Sequence, residues 1–113
     1  AIFGAPNRLQ KPARSAVALL FDAYRQFYAC SPNPELARRF VGERLERGES
    51  VIFVALVDGK GVGFVQLYPT FTSIGARRAW ILNDLFVVPP ARRQGVGRAL
   101  MDAAKLRKCQ LCG

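Results

Sequence analysis

Histidine is absent and cysteine is scarce, confined to Cys30, Cys109 and Cys112. Three thiols without regular spacing do not make the disulfide framework of a small secreted domain, so a reducing compartment is expected. Cys109-x-x-Cys112 has the spacing of half a structural zinc site, but with Cys30 the only further thiol and no histidine the other half is missing. A redox pair would normally open a helix, whereas this one trails at the terminus. The pair reads as part of a functionless tail, with a metal bridged between two chains as the other reading, and no metal centre is expected. Acidic residues are also few, eight against seventeen Lys and Arg, a formal net charge of +9. Such a balance favours anionic partners: phosphate-bearing ligands, nucleic acid or an anionic membrane face. No apolar run approaches the roughly 18 to 20 residues that cross a bilayer, and the N-terminus lacks the charged-then-apolar order of a secretory signal. A soluble cytoplasmic protein without a membrane partner is expected.

With 113 residues, half of them apolar, the chain has enough material for one folded domain and not for two. Residues 1–13 mix Pro, Gly and basic residues and read as a poorly ordered arm. From there Val17, Leu20, Phe21, Tyr24, Phe27 and Tyr28 recur at helical spacing, predicting a helix over about Ser15–Ala29. Asn33-Pro34 supplies a cap and a first-turn proline for a second helix to about Arg47, ended by Gly48. Ser50–Val57 and Val62–Tyr68 read as strands joined by an Asp58-Gly59-Lys60-Gly61 turn. Pro69–Arg78 reads as a loop into which Phe71 and Ile74 could extend the strand. The strand Ala79–Val88 hardly alternates and is expected to bury both faces. The helix, helix, strand, strand, strand, helix order predicts an α/β (α+β) domain with a three-stranded antiparallel meander.

Trp80–Leu106 is the stretch around which the rest is organised. An apolar strand meets Pro89-Pro90, then Arg92, Arg93, Gln94, Gly95, Val96, Gly97 and Arg98, then an amphipathic helical pattern. Glycines at a helix start let the backbone approach a ligand, and unpaired first-turn N–H groups with the positive end of the helix dipole favour an anion such as a pyrophosphate. A dinucleotide fingerprint would need a third glycine where Leu100 stands, and a Walker loop would need Gly-Lys-Ser/Thr where Gly97-Arg98 stands. Both fail.

The remaining pattern, Arg-x-x-Gly-x-Gly directly after a hydrophobic strand, resembles the acyl-CoA pyrophosphate loop of GNAT-type N-acetyltransferases. LFDAYRQFY, ARRF, ERLERGESVIFVAL, GFVQLYPTF and WILNDLFVVPPARRQGVGRAL extend the resemblance over about Ala16–Leu106, to a bacterial subgroup associated with diamine or polyamine acetyltransferases. The resemblance implies a GNAT core over 14–107 within one domain spanning 1–113, with a tail at 108–113 and the CoA-binding helix after the meander. Relatives usually open with a strand, which Ala1–Ala13 does not resemble, and continue past the CoA helix into further strands and a helix bearing an Asn and a Tyr. On that comparison the later strands are missing and the chain looks truncated.

The resemblance also implies the chemistry: transfer of an acetyl group from acetyl-CoA to a primary amine by direct attack on the thioester, in a whole enzyme or in a CoA-binding fragment of one. The backbone of Leu85, Phe86 and Val87 would hold the pantetheine arm and thioester carbonyl, and Arg92 to Arg98 would enclose the pyrophosphate. Asp84 is the candidate base on the central strand; an ordinary Asp, with a pKa near roughly 3.9, needs burial or a water relay for that work. The other reading of Asp84 is a carboxylate that caps loop amides or pairs with Arg77 or Arg78. Asn83 stands where many relatives carry a glutamate and cannot itself be a base. Tyr24 and Tyr28 read as core, and Tyr68 at most lines the acceptor pocket for a small-molecule or peptide amine. A strand Trp80–Val88 without a further neighbour would expose an apolar edge and recruit a second chain, as in a homodimer, or aggregate. The competing class is a basic nucleic-acid-binding module without catalysis; its basic residues, however, are spread over two helices and several loops, and its aromatics follow apolar stripes rather than a basic strand face, so nucleic acid is not favoured.

Overall fold

The computed structural model describes the backbone of residues 2–6 and 11–112 and the side chains of residues 13–105. The chain runs β1 (Ile2–Pro6), α1 (Lys11–Phe27), α2 (Pro34–Glu46), β2 (Val51–Val57), β3 (Lys60–Thr72), β4 (Arg77–Val87), a 3-10 turn at Pro89–Ala91 and α3 (Val96–Cys112). The strands form one antiparallel sheet in the order β1-β2-β3-β4.

Local chemistry sets the boundaries. The Asn33 side chain accepts the Leu36 N–H at 3.1 Å, with Pro34 filling a position that has no helical donor to lose. Gly48 leaves α2 in the left-handed region, φ 63°. Buried Asp22 accepts the Asn33 N–H at 2.8 Å and the Gln26 amide at 3.0 Å, pinning the α1–α2 connection to α1. Asp58 and Gly59, at φ 52° and 78°, make the two-residue mirror turn that matches strand twist.

The alternation of the strands divides the interior into two layers. Ile52, Val54, Phe64 and Phe86 meet Val17 and Leu20 of α1 and Val41 and Leu45 of α2. Val51, Phe53, Ala55, Val65 and Leu67 meet Leu100 and Ala104 of α3 on the opposite face. At about 1.5–3 kcal/mol for each large side chain fully buried, these two layers are the main source of stability. Gly63 matters to the second layer, because a Cβ there would lie 3.0 Å from the Phe86 carbonyl and 3.2 Å from Leu100.

The structure corrects four expectations. Residues 2–6 are not an arm: Ile2 to Pro6 pair with Ala55 to Val51, a non-local pairing that the Gly and Pro of IFGAP conceal. Proline is tolerated there because β1 lies at the edge. The expected loop Pro69–Arg78 is mostly strand, with β3 reaching Thr72, β4 starting at Arg77 and only 73–76 turning. β4 does not bury both faces; at the sheet edge Ile81 remains 51% exposed and Leu85 38%. The segment 108–112, expected as a tail, continues the backbone of α3, and the side chains of Cys109 and Cys112 lie outside the described residues.

One irregularity positions the site. Gln66 pairs with Asp84 and Leu67 with Leu82, which leaves Asn83 as an extra residue without a partner, a bulge in β4. Among the described residues no helix is long and apolar enough to cross a membrane.

Candidate active site

Two groups of residues meet at the C-terminal end of β4. The first is the loop between β4 and α3. Arg93 (φ 65°) and Gly95 (φ 81°) are both left-handed with Gln94 between them, an alternation that turns successive N–H groups toward one side. Ala91 and Arg92 donate back to Val88 (2.9 Å) and Pro89 (3.2 Å), and Ala99 donates to Gly95 (3.0 Å). Between them, among the described residues, the backbone N–H groups of Arg93, Gln94, Gly95, Val96, Gly97 and Arg98 are uncommitted. Six such donors at a helix N-terminus, with exposed Arg93 and Arg98 beside them, have the chemistry that suits an anion.

The individual loop residues differ in role. Gly95 needs its glycine for conformation, since a Cβ there meets nothing within 4 Å but φ is +81°. Gly97 is required by neither conformation nor packing: a Cβ would rest 3.8 Å from Val87, an ordinary contact. Arg92, itself exposed, lies along the surface, donating from Nε to the Val87 carbonyl at 2.8 Å with its guanidinium 5.3 Å from the Phe27 ring centre and 5.9 Å from that of Phe86. It clamps the loop to β4 and α1, and it occupies the Val87 carbonyl. The Gln94 amide donates to the Pro90 carbonyl at 3.2 Å, bracing the same turn. Leu85 faces the α3 side and Phe86 the α1 side of the edge strand, as their partners Val65 and Phe64 require.

The second group surrounds Asp84, three residues and so roughly 10 Å of strand before Val87. Asp84 is 7% exposed and accepts the Gln66 amide at 2.9 Å on one oxygen and the Asn83 amide at 3.1 Å on the other. The Tyr24 hydroxyl of α1 donates to the same carboxylate. Among the described residues Asp84 has no ion-pair partner, so the pairing with Arg77 or Arg78 is overturned; both arginines lie exposed further along the edge. Burial, followed by the hydrogen bond and charge of Asp84, pushes the Tyr24 hydroxyl up to about 12. Burial and the Asp84 charge raise Tyr68 as well, partly offset by Arg44. The rings of Tyr28, Phe64 and Phe86 stand 5.2, 5.6 and 5.9 Å from Tyr24, so the carboxylate sits behind an aromatic wall.

Two residues of this group escape a sequence reading. Gln66 is wholly buried, and its Oε1 has no hydrogen-bond partner, leaving an acceptor for an incoming donor. The available signal was a lone amide in phase with Phe64 and Tyr68 on a core-facing strand. Tyr24 was legible only as part of an apolar stripe, because its hydroxyl's partner lies sixty positions away. Asn83 acts through the bulge and its bond to Asp84. Among the described residues no group of three or more His, Cys, Asp or Glu side chains gathers to hold a metal.

Comparison with known proteins bears on the family and the fold. The chain is 50% identical over 91 residues to the uncharacterized N-acetyltransferase YhfO of Bacillus subtilis, covering 80% of this chain and 61% of that protein. It is 39% identical over 87 residues to a probable acetyltransferase of Haemophilus influenzae, covering 76% and 60%. The crystal structure of a probable acetyltransferase superposes with a TM-score of 0.87 at 41% identity, over 98% of this chain and 72% of that one. The chain thus spans about three fifths of the length of the two curated relatives. Residues 48–113, which hold the sheet's long strands, the bulge and the anion loop, match the model of the Acetyltransferase (GNAT) domain, and the chain belongs to that family.

Proposed function

We propose that residues 1–113 form one N-acetyltransferase domain that passes an acetyl group from acetyl-CoA to a primary amine by direct attack, or the CoA-binding part of such an enzyme. The observation that carries this reading is the row of six uncommitted N–H groups from Arg93 to Arg98 at the start of α3, which suits a diphosphate. Arg93 and Arg98 add charge at its rim, Arg92, Gln94 and Gly95 keep the loop in shape, and Gly97 leaves room for the ligand beside its backbone. The exposed edge of β4 at Leu85–Val87, apart from the Val87 carbonyl that Arg92 occupies, offers backbone groups to the pantetheine arm. Acetyl-CoA, when bound, supplies the activated thioester carbonyl.

Asp84 is the proton acceptor for the amine, held by Gln66, Asn83 and Tyr24. A buried carboxylate with three neutral donors and no protein cation suits a substrate ammonium, which supports a small-molecule or peptide amine, with diamines and polyamines as the leading class. The protein would act in the cytoplasm. The outer edge of β4, unpaired among the described residues and carrying Ile81, would join a second copy into a homodimer; light scattering that shows only monomer at high concentration would remove the dimer. The central test is a calorimetric titration of the chain with acetyl-CoA and, separately, with a duplex oligonucleotide. Saturable binding of acetyl-CoA alone is expected. Binding of the oligonucleotide alone refutes the reading in favour of a nucleic-acid module.

A further inference from the structure

A cavity of about 440 Å³ opens between α1 and α2, lined by Arg14, Ser15, Ala18, Arg38, Arg39, Gly42, Glu43 and Glu46 and distinct from both groups described above. It exists because its floor is small: Ala18 on one helix, and on the other Gly42, where a Cβ would meet nothing within 4 Å. A glycine inside a helix costs about 1 kcal/mol against alanine, so the sequence forgoes stability where the groove is open.

Three guanidinium groups line this space, and their engagements are unequal. Arg38 pairs with Glu35, and Arg14 reaches Glu46 only at 3.7 Å. The Arg14 Nε is buried with no hydrogen-bond partner, and Arg39 makes no hydrogen bond or ion pair among the described residues. The first turn of α1, which carries Arg14, contains no acidic residue to balance its dipole. The unpaired buried guanidinium N–H of Arg14 calls for an acceptor, and exposed Arg39 and the positive end of α1 favour one of negative charge. Glu43 and Glu46 on the same wall offset two of the three arginines and leave the lining one net positive charge, which a single monoanion neutralises and a dianion overshoots.

From these observations we propose that the α1–α2 groove is a second ligand site, taking the carboxylate of a small organic monoanion between Arg14 and Arg39. The site requires nothing of the CoA loop, so its success or failure is independent of the acetyltransferase reading.

The test is thermal unfolding of the full chain against rising propionate, with inorganic phosphate and chloride at matched ionic strength, for the native protein, Arg39→Gln and Gly42→Met. The native protein is expected to show a saturable rise in Tm with propionate only. Arg39→Gln should weaken that response about tenfold by removing one charge-assisted bond, and Gly42→Met should abolish it by filling the groove while unfolding no earlier than the native chain. A shift of the same size with all three anions, no saturable shift, or an unaltered propionate response in both variants overturns the site and leaves a groove filled by water.

Discussion

Replacing Gly97 by aspartate should strengthen the fold and destroy CoA binding together. Gly97 lies in the first turn of α3, and the space beside it accepts a Cβ at 3.8 Å from Val87 without displacement. The helix gains a few tenths of a kcal/mol in propensity and about 0.3–1 kcal/mol from a negative charge at its positive end. The sum, about 0.5–1.5 kcal/mol, corresponds to a rise in Tm of about 2–6 °C for a chain of this size. The ligand meets the opposite sign. A carboxylate roughly 5 Å from a diphosphate charge contributes about 3 kcal/mol of repulsion at an effective dielectric of about 20, on the order of a hundredfold in affinity, and it also engages the N–H groups the ligand needs. Gly97→Ala is the control, expected to gain about 1 kcal/mol and keep its affinity because its methyl packs on Val87. Differential scanning fluorimetry reads the first quantity and titration calorimetry with CoA the second. Unchanged CoA affinity in Gly97→Asp would falsify the placement of the diphosphate, whatever happened to the Tm.

Other variants probe the remaining parts. Arg92→Gln should lose the Val87 bond and the two ring contacts, costing about 1–2 kcal/mol in urea unfolding; a fully stable variant would show that the clamp is idle. For the same reason charge reversal at Arg92 is a poor probe of CoA binding, since it disturbs the fold as well as the loop. Gln66→Ala should cost about 2–3 kcal/mol, leaving a cavity and one fewer donor on a buried carboxylate, and stability within a few tenths of native would contradict the network. Ultraviolet titration should show a tyrosine ionising near 12 that is lost in Tyr24→Phe and moves only partway down in Asp84→Asn, since burial is the larger cause. Because the folded state holds this proton more tightly than the unfolded chain, the associated stability is fully present below about pH 10 and fades as pH rises toward 12, by about 1–2 kcal/mol; a flat profile across that window in the native protein contradicts it.

The parts of this fold that were legible were those with local causes. The Asn33-Pro34 cap, the Asp58-Gly59 turn and the glycines after Pro89-Pro90 announce themselves because each is a backbone requirement met by one or two neighbouring residues. β1 was not legible, since IFGAP has little pattern and becomes a strand only when β2 accepts it across some forty-five positions of chain. The loop after Pro89-Pro90 is legible as a glycine-bearing helix start, but charge alone cannot say that Arg92 lies against Phe27 and Phe86 while Arg93 and Arg98 make no such contact. Asp84 stands out in the sequence as a lone carboxylate on an apolar strand, whereas its contacts with Gln66 and Tyr24 required the sheet to bring three elements together. The unalternating run of β4 suggested burial on both sides, and its physical cause is the supernumerary Asn83.

That residue has a consequence for which changes the strand can absorb. Trp80 and Leu82 belong with α3, Asp84 and Phe86 with α1, although all four are even positions, because the chain steps out of phase once between them. Excising Asn83 would behave like a half-turn of a screw: either the carboxylate is carried to the wrong side of the sheet, or Trp80 and Leu82 are thrown into water. β4 can therefore tolerate a change of letters more readily than a change of count.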